Sequence, residues 1–139
     1  EKSSDSMLIQ ATISDGDMIF KGNDGGSTIT ALTLNMSDAG AATFNNNVTA
    51  YSDERLKDNI QTLESGLDKV NQLRGVTYTK NEKENIGVIA QEVEKILPEI
   101  VVTGNTEQKL KSVDYGRLTA VLIEAVKELS QKIEKLEGK

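Results

Sequence analysis

The chain has 139 residues, with 16 basic and 22 acidic side chains and a formal charge of −6. This excess of acid argues against binding to nucleic-acid phosphates, and no basic run suggests attachment to a membrane surface. Cysteine and histidine are both absent, which excludes disulfides, thiolate or histidine metal ligands, and catalysis by Ser-His-Asp or Cys-His groups. We therefore expect no metal and no cofactor, and any proton transfer must use a carboxylate, a lysine or a tyrosine.

Large apolar side chains are scarce. Hydrophobic residues make up 37% of the chain and aromatic residues 4%, with two Phe, three Tyr and no Trp. A chain with so little to bury is only marginally stable alone, so the composition favours an oligomer. The sequence also shows no secretory signal pattern and no apolar run long enough to span a membrane, so we expect a soluble protein.

The composition changes at Tyr51. Residues 1–50 carry six acids and two bases and are rich in Gly, Asn, Ser, Thr and Ala, whereas residues 52–139 carry sixteen acids and fourteen bases. A shift of this kind is typical of a domain boundary. We therefore predict two domains, residues 1–51 and residues 52–139.

The first domain has the pattern of short β-strands separated by turns, with Gly or Asn at the corners. The predicted strands are residues 7–9, 11–13, 18–20, 28–36 and 42–44, and the predicted turns are residues 14–17, 21–26 and 39–41. No single copy has enough apolar surface for stability, and such segments usually become stable when several chains wind around one axis. We therefore expect an intertwined β-stalk, with a small β-sandwich fragment as the alternative.

The second domain alternates helical and strand patterns, which predicts a small α+β domain. Ser65 is the predicted N-cap of a first helix, and Gly75 follows the end of that helix. Pro98 ends a second helix. The predicted helices are residues 65–73 and 90–97, and the predicted strands are residues 76–79 and 100–103, with residues 86–89 either a further strand or the approach to the second helix.

The last segment, about residues 115–137, has the clearest helical pattern, with Asp114 as its predicted N-cap. Its apolar residues recur at alternating three- and four-residue steps until Lys132 interrupts the seam, and Ile133 continues the apolar stripe one position displaced. A 3.5-residue repeat with a local slip is typical of a coiled coil, and an ordinary amphipathic helix packed on its own domain is the alternative. We favour pairing between chains, with a seam formed by Leu118, Leu122, Ala125, Leu129 and Leu136.

Four short motifs carry a family resemblance. The first runs from Ser52 to Ile60, at the compositional boundary, and the others are residues 87–93, 113–118 and 122–129. Together they resemble the endosialidase-type intramolecular chaperones, a self-cleaving Ser-Lys family at the C-terminus of phage tailspikes and tail fibres. The resemblance extends from Ser52 to about Leu136. The first domain is more loosely similar to the glycine-rich repeats that often precede this family in fibre proteins.

This resemblance implies that residues 52–139 form a homotrimer with two identical chains and help an N-terminal trimeric β-stalk to wind together. It further implies cleavage of the Tyr51–Ser52 peptide, with Ser52 as the nucleophile and Lys57 as its base, which releases the chaperone. The chain would then be a virion component of a tail fibre or tailspike, assembled in the host cytoplasm. Its substrate would be its own upstream segment, with neither nucleic acid nor membrane as a partner.

Elementary chemistry permits this role. A serine hydroxyl needs a base that removes its proton, and without histidine the plausible base is a lysine in its neutral form. Lys57 lies five residues after Ser52, so a turn can bring the two side chains together. The alternative from spacing alone is that Ser52 caps a helix, with the acids after it in the first turn, and that Lys57 is a solvated surface residue.

Four further residues are candidates for supporting roles. The charge of Arg55 would disfavour a protonated Lys57, whereas Asp53 would act in the opposite direction. Gln91 and Glu92 would order the cleavage loop or cap a neighbouring chain, or else they lie on the surface of a helix. The sequence leaves these alternatives open.

Two other functions compete with a self-cleaving chaperone. One is a permanent trimerisation module that never cuts, and the pair formed by Ser52 and Lys57 is the feature that separates the two functions. The other is a receptor-binding fibre tip. It ranks last because the sequence offers no tryptophan platform and no paired carboxylates of the kind found at sugar sites.

Overall fold

A computed structural model describes residues 7–105 and 107–138. These residues form an α+β structure, as the sequence predicts, with small antiparallel sheets and a long C-terminal helix. The chain divides into two compact units, residues 1–58 and 59–139. The segment from Ser52 to Lys57 therefore groups with the first unit, and the predicted domain boundary at Tyr51 stays a prediction.

The first unit contains a three-stranded antiparallel sheet in the order β1-β2-β3. Its strands are β1 (Met18–Asp24), β2 (Ser27–Asn35) and β3 (Ala41–Phe44). Gly25 and Gly26 have positive φ and form the turn between β1 and β2, where the Asn23 side chain accepts a hydrogen bond from the Gly26 amide. The turn predicted over residues 21–26 is therefore too long, because left-handed glycines reverse the chain within two residues.

The strands predicted at residues 7–9 and 11–13 are absent from the structure. Met7, Leu8 and Ile13 are largely exposed, and no described strand of this chain pairs with their segment. An extended segment becomes a strand only when a neighbouring strand supplies backbone hydrogen bonds. The apolar pattern of this segment is therefore not sufficient to form a strand within one chain.

One face of the three-stranded sheet is apolar and uncovered. Phe20, Leu32 and Phe44 lie directly opposite one another across the three strands, and residues in register share a face of the sheet. A second row on this face consists of Met18, Leu34 and Ala42. The two phenylalanines keep 44% and 49% of their surface exposed. A single chain therefore leaves much of this apolar face in contact with water.

The described residues of the second unit form two β-hairpins and three α-helices. Its elements are α1 (Gly66–Gln72), β4 (Val76–Lys80), β5 (Lys83–Gly87), α2 (Ala90–Val93), β6 (Val101–Thr103), β7 (Lys111–Val113) and α3 (Tyr115–Leu136). β4 pairs with β5, and β6 pairs with β7. The helix predicted over residues 90–97 is α-helical only to Val93 and continues as tight turns before Pro98.

The core of the second unit lies where α2, the 3₁₀ turn Pro98–Ile100 and α3 meet. Its fully buried residues are Val93, Leu97, Ile100 and Val121, each with at most 3% of its surface exposed. Val70 of α1 packs against this cluster from its edge. A core of this size stabilises a small domain only marginally, so each further contact between the helices matters.

Glycine allows α1 to pack directly on α3. Gly66 is buried, and a Cβ atom at this position would lie 2.6 Å from the Ala125 amide nitrogen and 3.0 Å from the Glu124 carbonyl carbon. Ala125 is also buried. Because any side chain at Gly66 would collide with the α3 backbone, the close approach of the two helices requires glycine at this position.

A carboxylate from α3 caps the first turn of α1. Glu128 accepts hydrogen bonds from the amides of Gly66 (2.7 Å) and Leu67 (3.1 Å). Ser65 occupies the predicted N-cap position and its carbonyl accepts a hydrogen bond from the Lys69 amide, but it has a left-handed φ of 57° and makes no side-chain cap hydrogen bond. The first amides of a helix need acceptors from outside the helix, and here the acceptor lies 62 residues from Gly66 in the chain.

α3 has two apolar faces that differ in burial. Leu118, Val121 and Ala125 face the interior of their own unit. An outer stripe is formed by Leu122, Val126, Leu129, Ile133 and Leu136, which are between 45% and 87% exposed. These five residues follow alternating four- and three-residue steps without interruption, which is the coiled-coil repeat. We call them the outer stripe.

The predicted seam therefore combined residues from both faces of α3. Leu118 and Ala125 pack inside the unit, and Ile133, which the prediction placed out of phase, belongs to the outer stripe. The predicted N-cap is confirmed, because Asp114 accepts a hydrogen bond from the Arg117 amide. Within the described residues, no helix combines the length and the apolar character that crossing a membrane requires.

An ion pair links α1 to α2. Arg74, which follows α1, donates two hydrogen bonds of 2.9 and 2.7 Å to the Glu92 carboxylate. These hydrogen bonds hold the pKa of Glu92 below its ordinary value. The pair therefore contributes to stability only while Glu92 is ionised.

Replacing Gly66 by alanine is expected to destabilise the second unit, although alanine normally favours a helix over glycine. Overpacking against the α3 backbone costs about 1–3 kcal/mol. Gly75→Ala is the matched control, because nothing lies within 4 Å of a Cβ atom there, and it should be neutral or slightly stabilising. The free energies of unfolding of both variants and the wild type are compared by urea unfolding, monitored by far-UV circular dichroism at equal protein concentration. A Gly66→Ala chain as stable as the wild type would contradict the close approach.

The ion pair between Arg74 and Glu92 predicts a dependence of stability on pH. Because the pKa of Glu92 is lower in the folded chain than in the unfolded chain, the stabilisation is complete above the unfolded pKa and is lost as the pH falls through the folded one. We expect the Tm difference between the wild type and Glu92→Gln to shrink between about pH 6 and about pH 3. Glu84→Gln changes the net charge equally and is the control. A difference that stays constant with pH would rule out the pair as its source.

Candidate functional site

The segment after Tyr51 forms a tight turn. Glu54–Leu56 is a 3₁₀ turn capped by Asp53, whose side chain accepts a hydrogen bond of 2.9 Å from the Arg55 amide. Backbone hydrogen bonds join the Leu56 amide to the Asp53 carbonyl and the Lys57 amide to the Glu54 carbonyl. The residue that caps this turn is therefore Asp53, and the alternative in which Ser52 is the cap is wrong.

The turn brings the side chains of Ser52 and Lys57 together. Lys57 Nζ lies 2.7 Å from Ser52 Oγ, and the two atoms are hydrogen bonded. At this distance a hydroxyl and an amine can exchange a proton directly. The structure thus brings together the two residues that the sequence analysis singled out, with the Lys57 amine donating to the Ser52 hydroxyl oxygen.

Asp53 is held by Arg55 as well as by the turn. Arg55 Nε lies 2.9 Å from Asp53 Oδ1, and Arg55 Nη2 lies 2.6 Å from Asp53 Oδ2. The side-chain hydrogen bonds from Arg55 are the main cause that lowers the pKa of Asp53, and the charge of Lys57 contributes least. Asp53 is therefore an ionised carboxylate next to the dyad, with both oxygens bound by Arg55.

The site is open to solvent in the single chain. Ser52 and Lys57 are exposed, and Tyr51, on the other side of the predicted scissile peptide, has 96% of its surface exposed. Tyr51, Asp53, Arg55 and Leu56 line an open depression of about 560 Å³. Within the first unit, no described residue therefore shields the pair of Ser52 and Lys57 from water.

The remaining candidates lie in the second unit. Gln91 and Glu92 are both on α2; Gln91 is exposed, whereas the Glu92 carboxylate binds Arg74. The sequence analysis missed Glu128 as the cap of α1. No local pattern identifies this residue, because the amides that it binds are distant in sequence.

The sequence of this chain is similar to those of several phage tail fiber proteins. The chain is 38% identical over 102 residues to the long tail fiber protein Gp37 of Enterobacteria phage K3, and 38% identical over 102 residues to that of phage T2. Each match covers 67% of this chain but only 8% of the phage protein. Gp37 of Enterobacteria phage M1 is 37% identical over 101 residues, which cover 66% of this chain and 40% of that protein. The chain thus spans less than half the length of these relatives.

A solved structure and a family model also match. The structure is the carboxy-terminal domain of the bacteriophage T5 L-shaped tail fiber with its intramolecular chaperone domain, at a TM-score of 0.48 and 11% identity, covering 88% of this chain and 45% of that one. The family model is described as chaperone of endosialidase and matches residues 52–102, so that the match begins at the serine of the dyad. Residues 52–102 of this chain are therefore similar to the endosialidase-type chaperones.

Proposed function

We propose that this chain is the intramolecular chaperone end of a phage tail fibre, which assembles as a homotrimer, helps its own upstream segment to fold and then cuts itself between Tyr51 and Ser52. The observation that carries the cleavage proposal is the 2.7 Å hydrogen bond between Lys57 Nζ and Ser52 Oγ. The relatives that are tail fibre proteins support the location in a virion, with assembly in the host cytoplasm.

The proposed reaction is a single turnover within the chain. Lys57, as a neutral amine, takes the hydroxyl proton of Ser52, and Ser52 Oγ attacks the carbonyl carbon of Tyr51. The C–N bond of the peptide breaks as the Lys57 ammonium returns the proton to the Ser52 nitrogen, which leaves an ester between Tyr51 and Ser52 Oγ. Water then hydrolyses the ester. Because the reacting groups are on one chain, proximity contributes several kcal/mol to lowering the barrier.

Trimerisation is supported by the apolar surface that one chain leaves exposed. The outer stripe on α3 has the uninterrupted heptad spacing of a coiled coil, and the sheet that carries Phe20 and Phe44 has an uncovered apolar face. Burial of the segment around Ser52 by neighbouring copies would also favour the neutral amine of Lys57 that the reaction needs. We therefore propose that cleavage follows assembly.

A permanent trimerisation module that does not cut is the second candidate. The exposure of Ser52 and Lys57 in the single chain favours it, because water stabilises the charged form of an amine. Both candidates share the trimer and the tail fibre, and they differ only in whether the peptide before Ser52 is broken.

Self-cleavage predicts two fragments, one ending at Tyr51 and one beginning at Ser52. We expect the wild-type chain to yield both by denaturing electrospray mass spectrometry, and Ser52→Ala and Lys57→Met to remain uncut because each loses one member of the dyad. Ser130→Ala and Lys80→Met, which make the same exchanges elsewhere on the surface, should cleave like the wild type. A folded, trimeric wild type that keeps its full mass would leave the non-cleaving module as the function.

Assembly through the outer stripe predicts that Ile133→Lys prevents trimerisation at micromolar concentration, because a lysine would be buried without a partner in the seam. Gln131→Lys adds the same side chain two residues away, outside the stripe, and should remain trimeric. Sedimentation velocity gives the oligomeric state, and circular dichroism checks that α3 stays helical. A monomeric wild type, or an Ile133→Lys chain that stays trimeric, would contradict this seam.

A further inference from the structure

Asp53 and Arg55 have a role in the site that the dyad alone does not explain. We propose that they form a positioning pair, in which Asp53 fixes the turn that brings Lys57 to Ser52 and Arg55 keeps the Asp53 carboxylate from pairing with Lys57. This inference rests on the proposed self-cleavage. It makes neither residue a catalytic one, because neither contacts the bond to be broken in the structure.

Asp53 fixes the turn through hydrogen bonds with the backbone amides of Arg55 and Leu56. The Asp53 side chain binds the Arg55 amide at 2.9 Å, and the Asp53 carbonyl accepts from the Leu56 amide at 3.1 Å. An N-cap of this kind stabilises the first turn that follows it. Without this cap the segment would be more flexible, and Ser52 and Lys57 would be in contact for a smaller fraction of the time.

The second part follows from charge. Asp53 lies directly after Ser52, close enough for the charge of Lys57 to act on its carboxylate, and an ion pair between the two groups would hold the amine protonated. Arg55 occupies both Asp53 oxygens, at 2.9 and 2.6 Å. Two further acids of the segment are exposed: Glu54, the first residue of the turn, and Asp58, which follows Lys57. Asp53 is thus the acid that caps the turn, and the Arg55 guanidinium neutralises its charge.

The cleavage rate as a function of pH separates the two roles. Asp53→Ala loses the cap, and we expect its rate to fall more than tenfold at every pH. Asp53→Asn keeps an oxygen that can cap the turn, so its rate should stay within about threefold of the wild type. Arg55→Ala keeps the cap but frees the carboxylate. Its rate at neutral pH should fall about threefold, and the pH of half-maximal rate should rise by about half a unit, as for an exposed ion pair.

The double variant provides the rescue. If Arg55 acts by neutralising Asp53, then Asp53→Asn/Arg55→Ala should cleave with the pH profile of Asp53→Asn, because the charge to be neutralised is gone. A purely structural role of Arg55 would leave the double variant as slow as Arg55→Ala. Glu64→Gln removes one negative charge outside the turn and should keep the wild-type profile. An Arg55→Ala chain with the wild-type profile would overturn the charge role of Arg55.

A measurement in the uncut chain distinguishes this inference from the proposed function. In a Ser52→Ala background the Lys57 amine can be titrated by NMR of its ¹³Cε resonance. We expect Arg55→Ala to raise the titration midpoint and Asp53→Asn/Arg55→Ala to reverse the rise. If the wild type does not cleave but these midpoints move as expected, the self-cleavage proposal fails and the charge role stands. Midpoints that do not move would overturn the charge role whether or not the chain cleaves.

Discussion

The close approach of α1 to α3 is the constraint on which the second unit depends. Gly66 lets the two backbones meet at Ala125, and the Glu128 carboxylate supplies the acceptors that the first amides of α1 lack. Both contacts lie on one side of α3, one helical turn apart. Because a seven-residue helix is not stable in isolation, α1 exists at this position through its contacts with α3 and the small core beside them.

This constraint also decides which face of α3 remains free. Once Leu118, Val121 and Ala125 are packed inside their own unit, the outer stripe is the heptad-spaced apolar surface that stays exposed on the helix. The first unit also leaves apolar surface exposed, since Phe20 and Phe44 of its sheet are half exposed. An exposed heptad stripe and an exposed apolar sheet face are each costly in water. In the proposed trimer, both surfaces would be covered by the other copies of the chain.

The sequence predicted the elements whose signals are local. The three strands of the first sheet, the first helix and the Asp114 cap lie close to their expected positions. The errors arose where a distant group decides the outcome. Ser65 is at the N-cap, but a carboxylate of α3 binds the first amides of α1 in place of its side chain. No described strand pairs with residues 7–13, and Ala125 was assigned to a seam because an apolar repeat does not reveal which of two faces a helix buries.

At the candidate site, the spacing of Ser52 and Lys57 permitted a dyad but did not require one, and the motif made the pair worth considering. The physical cause of their contact is a turn, as the spacing allowed, but its cap is Asp53, which the sequence did not reveal. The same turn leaves both side chains in water. A lysine base must lose its proton, which a dry environment favours, and one chain supplies no such environment. Chemistry that needs burial by other copies would start only after the copies have assembled, so the proposed chaperone would not separate from a fibre that has yet to form.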